Sequence, residues 1–194
     1  NISIIDTTNN IIVNGNLSEY FENEGKVEVT KQALLNILFQ KDTLFMSADK
    51  FVNYNNKRQE YILAYNNVKI FRENFQGKCD SLYYNVSDSI INLYQTPVLW
   101  VDDMQITSDS INIFMINKKI DKMNFFPNPI IVSKADSMHF DQIKGKYMTG
   151  IFKQNKLKNL NITGNGQSLF FIKENKNNVG INEAICTDIS INIK

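Results

Sequence analysis

The stretch Ser108-Asp109-Ser110-Ile111-Asn112-Ile113 contains the pattern on which the fold depends. A small residue and an aspartate precede apolar side chains that alternate with polar ones, and this period of two is typical of one β-strand with one apolar face. The four aspartates of the pattern are 31, 29 and 27 residues apart. They lie in Ala48-Asp49-Lys50-Phe51, Cys79-Asp80-Ser81-Leu82, Ser108-Asp109-Ser110-Ile111 and Ala135-Asp136-Ser137-Met138, and Thr187-Asp188-Ile189 resembles an incomplete fifth copy. The spacing predicts a repeat of one β-hairpin, which must stack on its neighbours to bury its apolar face.

A returning strand with a second anchor follows each Asp-strand. These anchors are Asn67-Val68-Lys69-Ile70, Pro97-Val98-Leu99-Trp100, Pro129-Ile130-Ile131-Val132 and Asn165-Gly166-Gln167-Ser168. Short alternating runs separated by Asn-rich turns every ~10 residues predict an all-β sandwich, roll or barrel. The segment 31–39 leaves two alternatives open, a strand or a helical turn, because Ala33, Leu34, Ile37 and Leu38 also have helical spacing.

The composition excludes several classes of protein. The chain has 194 residues, of which 43% are hydrophobic, which is enough for a core and suits one domain over residues 1–194. A net charge of +1 argues against a nucleic-acid partner. The sequence begins at Asn1 without the features of a signal segment, so we expect that segment to be absent or removed, and the chain can be a fragment of a longer protein.

Catalytic groups are sparse. His139 is the single histidine and follows Asp136-Ser137, but Asp-Ser recurs at Asp80, Asp88 and Asp109 without a histidine, so the dipeptide belongs to the strand pattern. Asp102 and Asp103 are adjacent and would point to opposite faces of a strand. No set of Cys, His and carboxylate ligands has the spacing of a metal site. We therefore predict no enzyme, no cofactor and no metal; Cys79 and Cys186 can be paired or free.

Large apolar side chains are more abundant than short strands require. Trp100, Leu82-Tyr83-Tyr84, Phe125-Phe126 and Phe140 lie in the predicted strands. Two sheets packed tightly would bury them as a dry core, whereas a sheet folded over and open along one side would use them to line a groove for an apolar ligand. The residues alone leave both interpretations open.

Several motifs resemble a known family. Asp42-Thr43-Leu44, followed by Ala48-Asp49, is similar to the DTL-x-x-x-AD signature of the OstA-like proteins of Bacteroidota. Further stretches resemble successive motifs of the same family, in order and over nearly the whole chain: Gly77-Lys78-Cys79-Asp80-Ser81-Leu82, Pro97-Val98-Leu99-Trp100, Gln142-Ile143-Lys144-Gly145-Lys146, Gly164-Asn165-Gly166 and Gly180-Ile181-Asn182-Glu183-Ala184-Ile185-Cys186.

The resemblance implies both a fold and a function. The family is related to the periplasmic bridge protein of lipopolysaccharide transport (Lpt) and to the periplasmic domain of the outer-membrane translocon. It implies an elongated, twisted antiparallel β-jellyroll, a half-folded sheet of stacked hairpins with open ends. It also implies a periplasmic location in a Gram-negative cell and lipid A acyl chains in an apolar groove. The implied partners are lipopolysaccharide, other Lpt-type β-jellyroll components and further copies of the chain, stacked head to tail by strand pairing.

The predicted groove residues follow from the repeat. They are apolar residues at the second and fourth positions after the anchor aspartates, together with alternate residues of the neighbouring strands. The set comprises Met46, Phe51, Val68, Ile70, Leu82, Tyr84, Val98, Trp100, Ile106, Ile111, Ile113, Ile130, Val132, Met138 and Phe140. A shift of one residue would turn each strand's set outward. The alternative function is a structural or adhesive β-repeat protein with a dry core and no lipid.

Overall fold

The computed structural model describes residues 1–39, 42–56, 59–73, 75–154, 156–174 and 177–193. Within those residues the chain forms seventeen β-strands and one 3₁₀ turn at Glu22–Glu24, which confirms the predicted all-β class. The strands are β1 (Ile2–Asp6), β2 (Ile11–Gly15), β3 (Leu17–Phe21), β4 (Lys26–Leu38), β5 (Thr43–Asn56), β6 (Gln59–Arg72), β7 (Phe75–Asn85), β8 (Ile90–Tyr94), β9 (Val98–Val101), β10 (Met104–Thr107), β11 (Ser110–Ile116), β12 (Lys119–Phe126), β13 (Ile130–Lys134), β14 (Phe140–Lys144), β15 (Tyr147–Lys153), β16 (Lys156–Glu174) and β17 (Asn177–Asn192). The segment 31–38 is thus part of strand β4, which excludes the helical alternative.

Three long strands change register near the middle of their length. The shifts lie between Thr30 and Ala33 in β4, between Tyr65 and Val68 in β6, and between Thr163 and Gly166 in β16. At each shift two consecutive residues have positive φ, which is the geometry of a bulge that bends a strand. These pairs are Lys31-Gln32, Asn66-Asn67 and Gly164-Asn165.

The shorter strands break at the same level of the sheet. Gln95 and Thr96, both with positive φ, separate β8 from β9, and Asn128, also with positive φ, lies between β12 and β13. All strands are connected in one antiparallel sheet, so the bends and breaks line up across it. We call this line the crease. Gly15 lies on it, and a Cβ there would come within 2.5 Å of Val29 Cγ1, so the two sides of the crease pack closely.

The crease divides the sheet into two parts, which we call the front and back half-sheets. The front half-sheet contains β3, residues 26–30, 50–56, 59–65 and 81–85, then β8, β11, β12 and β15, and residues 156–163 and 188–192. The back half-sheet contains β1, β2, residues 33–38, 43–47, 68–72 and 75–79, then β9, β10, β13 and β14, and residues 166–174 and 177–186.

Both half-sheets contribute to one hydrophobic core. Alternate side chains such as Leu35 and Leu99 in the back half-sheet and Ile111 and Leu160 in the front half-sheet are completely buried in the same cluster. A single sheet can bury one face of both its halves in one core only when it folds back on itself. The architecture therefore matches the half-folded β-jellyroll with stacked hairpins.

The aspartate repeat marks the crease in four of its five copies. Asp49 accepts a hydrogen bond from Asn67 Nδ2 at 2.9 Å, and Asp188 Oδ1 accepts one from the backbone N–H of Gly164 at 3.4 Å. Asp80 and Asp109 lie at the same level. Asp136 does not: it lies in the β13–β14 turn, where its carboxylate accepts the backbone N–H groups of Met138 and His139. The prediction that Asp136 begins a strand of the repeat was therefore wrong. An aspartate that closes a turn can have the same neighbours in the sequence as an aspartate that precedes a strand.

Candidate functional site

The space between the half-sheets is lined by apolar side chains from both. From the front half-sheet come residues such as Phe51, Leu93, Met123 and Phe152, and from the back half-sheet residues such as Leu44, Ile70, Val101 and Ile131. The lining is continuous from β2 at one end to β16 at the other. No helix interrupts it in the described residues, and the one buried basic side chain among them, Arg72 at the end of β6, is paired with Asp42. This interior is therefore the candidate site for an apolar ligand.

Nine of the fifteen predicted groove residues lie in this interior. Phe51, Leu82, Ile111 and Ile113 project from the front half-sheet and are buried. Their positions after Asp49, Asp80 and Asp109 place them inside because the aspartate occupies the crease and the strand alternates from there. The other members of the interior set are Met46, Val68, Ile70, Tyr84 and Ile106.

Four predicted residues on β9 and β13 lie on the outer face instead. Leu99 and Val101 are buried, so their neighbours Val98 and Trp100 point outward. Ile131 is buried in the same way, which turns Ile130 and Val132 outward. The predicted set on these two strands is therefore displaced by one residue along the chain. The structure aligns Pro97 and Pro129 with Val68, since each follows the left-handed residues of the crease, whereas the prediction had aligned these prolines with Asn67.

Met138 and Phe140 are also outside the interior. Met138 lies in the β13–β14 turn with 79% of its surface exposed, and Phe140 lies on the outer face of β14. Both had been counted from Asp136, which is not at the crease. The interior position of β14 is Ile143, which is buried opposite Ile131.

Sequence reasoning missed much of the lining. The phase of the crease residues would have identified Leu99, Val101 and Ile131. Strands without an anchor aspartate supply further buried residues that only their own alternation could have indicated: Leu35, Leu93, Met123, Phe125, Met148, Phe152, Leu157, Leu160 and Ile162.

Opposite the crease lies the margin of the fold, where the hairpin turns of both half-sheets lie. Asn9, in the β1–β2 turn of the back half-sheet, donates through Nδ2 to Asp6 Oδ2 at 2.7 Å and to Glu60 Oε2 at 2.8 Å. Glu60 belongs to β6 in the front half-sheet, so this amide joins the two half-sheets near one end.

Two carboxyl groups at this margin have shifted pKa values. Burial raises the pKa of Glu60, and the neighbouring Asp6 carboxylate raises it further. Burial also acts on Asp6, but hydrogen bonds from Asn9 and the Thr8 backbone outweigh it and leave its pKa below the usual value. Inside the margin, burial raises the pKa of the Tyr84 phenol to about 12, with a contribution from the Glu60 charge. Tyr84 is therefore neutral at physiological pH.

Both ends of the sheet present strands with one unpaired side. At one end β1 pairs with β2 and β3 pairs with β4. At the other end β17 pairs with β16 along its whole length. Each end thus offers an edge strand in the front and in the back half-sheet. Apolar side chains are exposed at these edges, including Ile5 at 63%, Ile185 at 70% and Ile181. Exposed apolar edges of this kind are typical of strand-pairing surfaces.

Other chemistry is limited in the part of the chain that the structure describes. His139 Nδ1 lies 2.9 Å from Asp136 Oδ1, but that carboxylate also closes the β13–β14 turn. No group of three or more metal-ligating side chains occurs among the described residues. Cys79 is buried and Cys186 is exposed, and both are free thiols. A helix suited to crossing a bilayer is not found in the described ranges.

Comparisons with known proteins found a distant structural likeness. No family model and no curated sequence matches this chain. The crystal structure of LptH, "the LptA homologous periplasmic component of the conserved lipopolysaccharide transport device from Pseudomonas aeruginosa", is similar at a TM-score of 0.49 and 9% sequence identity. The likeness covers 57% of this chain and 80% of that chain. A similarity of this size carries no functional argument.

Proposed function

We propose that residues 1–194 act as one unit that carries an amphipathic lipid, with its acyl chains between the half-sheets and its head group at the margin opposite the crease. The observation that carries the proposal is the continuous apolar interior, which ends at unpaired strands on both sides. Burial of acyl chains would contribute about 0.8 kcal/mol per CH₂ group, and an interior without a single deep pocket suits movement along it. No catalytic role is part of this proposal.

The lipid we propose is lipopolysaccharide, held through its lipid A acyl chains in the periplasm. Support comes from the motifs that resemble the OstA-like family, above all Asp42-Thr43-Leu44 with Ala48-Asp49 at the crease. The edge strands support the second part of the proposal. Pairing of β17 of one copy with β1 and β3 of the next, or with another Lpt-type β-jellyroll, would join the interiors end to end.

Site-specific photocrosslinking tests the lipid proposal. Tyr84 points into the interior and Tyr83 points outward from the same strand, so each can be replaced by the photoreactive aromatic p-benzoylphenylalanine as a matched pair. After irradiation of the purified full chain with lipopolysaccharide, we expect a crosslinked product from position 84 and none from position 83. Equal yields at the two positions, or no product at position 84 in a folded protein, would overturn the proposal.

The second candidate is a structural β-repeat protein with a dry core. It is favoured by the close packing of the interior, where Leu35, Leu93 and Leu160 have no exposed surface. Mass spectrometry of the intact protein, purified without detergent, distinguishes the candidates. Co-purified lipid supports the carrier, whereas a lipid-free protein that also fails to crosslink supports the dry core.

A further inference from the structure

The inward faces of β1 and β6 both end in a carboxyl group at the margin opposite the crease. In β1 the inward residue Ile4 packs against the core, and the next inward position is Asp6. In β6 Ile62 is buried, and the next inward position toward the margin is Glu60. Because β1 belongs to the back half-sheet and β6 to the front half-sheet, the two carboxyl groups approach each other across the margin.

Asn9 connects these two carboxyl groups. Its Nδ2 donates to Asp6 Oδ2 at 2.7 Å and to Glu60 Oε2 at 2.8 Å, which uses both protons of the amide. The β1–β2 turn fixes Asn9 in place, because Asp6 Oδ1 accepts the backbone N–H groups of Thr8 at 2.8 Å and of Asn9 at 3.1 Å. We call Asp6, Asn9 and Glu60 the margin clasp.

The margin clasp contains one carboxyl group more than it can hold in the charged form. Oxygens that bond to the same amide nitrogen are direct neighbours, so ionisation of both carboxyl groups places two like charges side by side. The turn keeps Asp6 ionised, since its hydrogen bonds hold the pKa of this group below the usual value despite burial. Burial and then the Asp6 carboxylate raise the pKa of Glu60. A protonated Glu60 donates to Asp6, whereas an ionised Glu60 repels it.

The other groups that face Glu60 leave this repulsion uncompensated. Asn55 of β5 is its cross-strand partner and carries no charge. Tyr84 of β7 is close enough for the Glu60 charge to raise the pKa of its phenol, which burial already raises, to about 12, so this group is neutral. Asp6 of β1 carries a charge of the same sign as an ionised Glu60. A single proton therefore decides whether the two half-sheets attract or repel each other here.

Other side-chain bonds near the margin stay within one half-sheet. Arg72 pairs with Asp42 in the back half-sheet, and Asn85 Nδ2 donates to Asp88 Oδ2 at 2.8 Å in the front half-sheet. The margin clasp differs, because it joins a turn of one half-sheet to a strand of the other. At the crease the strands run on from one half-sheet to the other, so the half-sheets can separate more easily at the margin than at the crease.

We propose that the margin clasp is a proton-controlled closure, in which protonated Glu60 holds the half-sheets together at the β1 end and ionised Glu60 lets them part. The closed form favours the proton on Glu60, so closure weakens as pH rises from the ordinary glutamate value of 4.5 through the raised pKa. At the acid side, closure weakens once pH falls through the lowered pKa of Asp6, because the turn then loses its acceptor. Between these two pKa values the margin is held most firmly.

Distance measurements between two spin labels on the full chain test the proposal. Thr8→Cys and Ser87→Cys place the labels on exposed turn residues of the back and front half-sheets, and Val86 bonds through its backbone N–H to Glu60, so Ser87 lies beside the margin clasp. The exposed Cys186 is first replaced by serine. Cys79 can stay, because burial raises the pKa of its thiol to about 12 and keeps it unreactive.

We expect one short distance near pH 4 and a growing population of longer distances as the pH is raised to about 8. The midpoint of this change should lie above 4.5, the ordinary glutamate value. The protein carries no added lipid in this experiment, so its outcome and the outcome of the lipid proposal are independent. Circular dichroism at each pH shows that the chain stays folded.

Glu60→Gln is the decisive variant, because it keeps the shape and a donor to Asp6 but cannot ionise, and the short distance should persist at every pH. Should Glu60→Gln not fold, Asp6→Asn replaces it, since it removes the other charge. Asp88→Asn is the matched control: Asp88 is a margin carboxylate bonded to Asn85 within the front half-sheet, so this variant should respond like the wild type.

A second pair of labels reports on the distant part of the margin. Asn117→Cys in the β11–β12 turn and Ser137→Cys in the β13–β14 turn lie in the front and back half-sheets, and their distance should not change with pH. The proposal is overturned if the distance between positions 8 and 87 is independent of pH, or if Glu60→Gln widens as the wild type does. It is equally overturned if Asp88→Asn abolishes the response, or if the second pair widens as much as the first.

Discussion

The residues just before each returning strand decide which side chains enter the interior. After Asn66 and Asn67 the first inward residue is Val68, and after Gln95 and Thr96 it is Pro97. From Pro97 the alternation places Leu99 inside and Val98 outside. The local backbone conformation at two polar residues therefore determines the orientation of the whole strand that follows.

The orientation of β9 predicts losses of stability of very different size for two neighbouring residues. Leu99→Ala removes a completely buried side chain and should lower the free energy of unfolding by about 2–5 kcal/mol. Val98→Ala, on the outer face, should cost under ~1 kcal/mol. Urea denaturation of the two variants measures both values. Similar losses for the two would contradict the assigned orientation.

The sequence predicted these strands but not their orientation. Hydrophobic runs such as Val98–Val101 and Ile130–Val132 have no polar alternation, so the runs alone do not show which residues face inward. Where alternation is strict, as in Ile111-Asn112-Ile113, the predicted interior residues are in place. The hydrogen bond from Asn112 Nδ2 to Asn92 Oδ1 on the outer face was not predicted either, because cross-strand neighbours are known only once the register is known.

The carboxyl group of Glu60, at the margin opposite the crease, makes the stability of the protein depend on pH. The raised pKa of Glu60 in the folded protein means that its protonated form is favoured by folding, so stability is lost as pH rises from the ordinary glutamate value of 4.5 through the folded value. Glu60→Gln removes this loss and keeps a group that can donate to Asp6. We expect a gain of about 0.5 kcal/mol at neutral pH, reduced by solvent screening, and almost none at pH near 4. Thermal unfolding at both pH values tests this, and a gain independent of pH would contradict it.

At the scale of the elements, the crease depends on residues held in the left-handed region. Thr96 has φ of 54°, which is costly for a β-branched residue. Thr96→Gly should therefore stabilise the protein by about 1 kcal/mol. Thr107→Gly, in the regular part of β10, is the matched control and should destabilise it by a similar amount. Differential scanning calorimetry measures both, and a loss of stability in Thr96→Gly would show that the bend requires the threonine.

The bounds of the strands were predicted best where polar turn residues separate two strands, and worst where a strand continues through the crease. β5, β6 and β16 each run through both half-sheets, although the asparagines and glycine at the bends of β6 and β16 have the composition of turns. A bulge and a turn use the same residue types, because both need positive φ. The sequence thus located the bends, while the continuation of the strand beyond each bend depends on pairing with distant neighbours.

At the scale of the whole molecule, the edge strands predict a directional assembly. Ile5→Lys on β1 and Ile185→Lys on β17 each place a charge on one edge, and charged edge residues prevent strand pairing. Each variant alone should be monomeric at concentrations where the wild type forms end-to-end oligomers. The oligomeric state is measured by sedimentation velocity.

Mixing the two variants provides the control. The Ile5→Lys protein keeps an intact β17 edge and the Ile185→Lys protein keeps an intact β1 edge, so an equimolar mixture should form dimers and nothing larger. Dimers in either variant alone would indicate a symmetric interface elsewhere. A mixture that stays monomeric would contradict the head-to-tail arrangement.

The crease also affects how a protein of this kind can change in size. Each long strand contributes one segment to either side of the fold, so inserting or deleting a hairpin of two such strands changes the length of the molecule in steps of ~10 Å and leaves its width unaltered. Each segment contacts its immediate neighbours, so gains and losses of stability are nearly additive along the axis. Duplication of one hairpin is therefore a simple genetic route to a longer molecule that spans a wider gap.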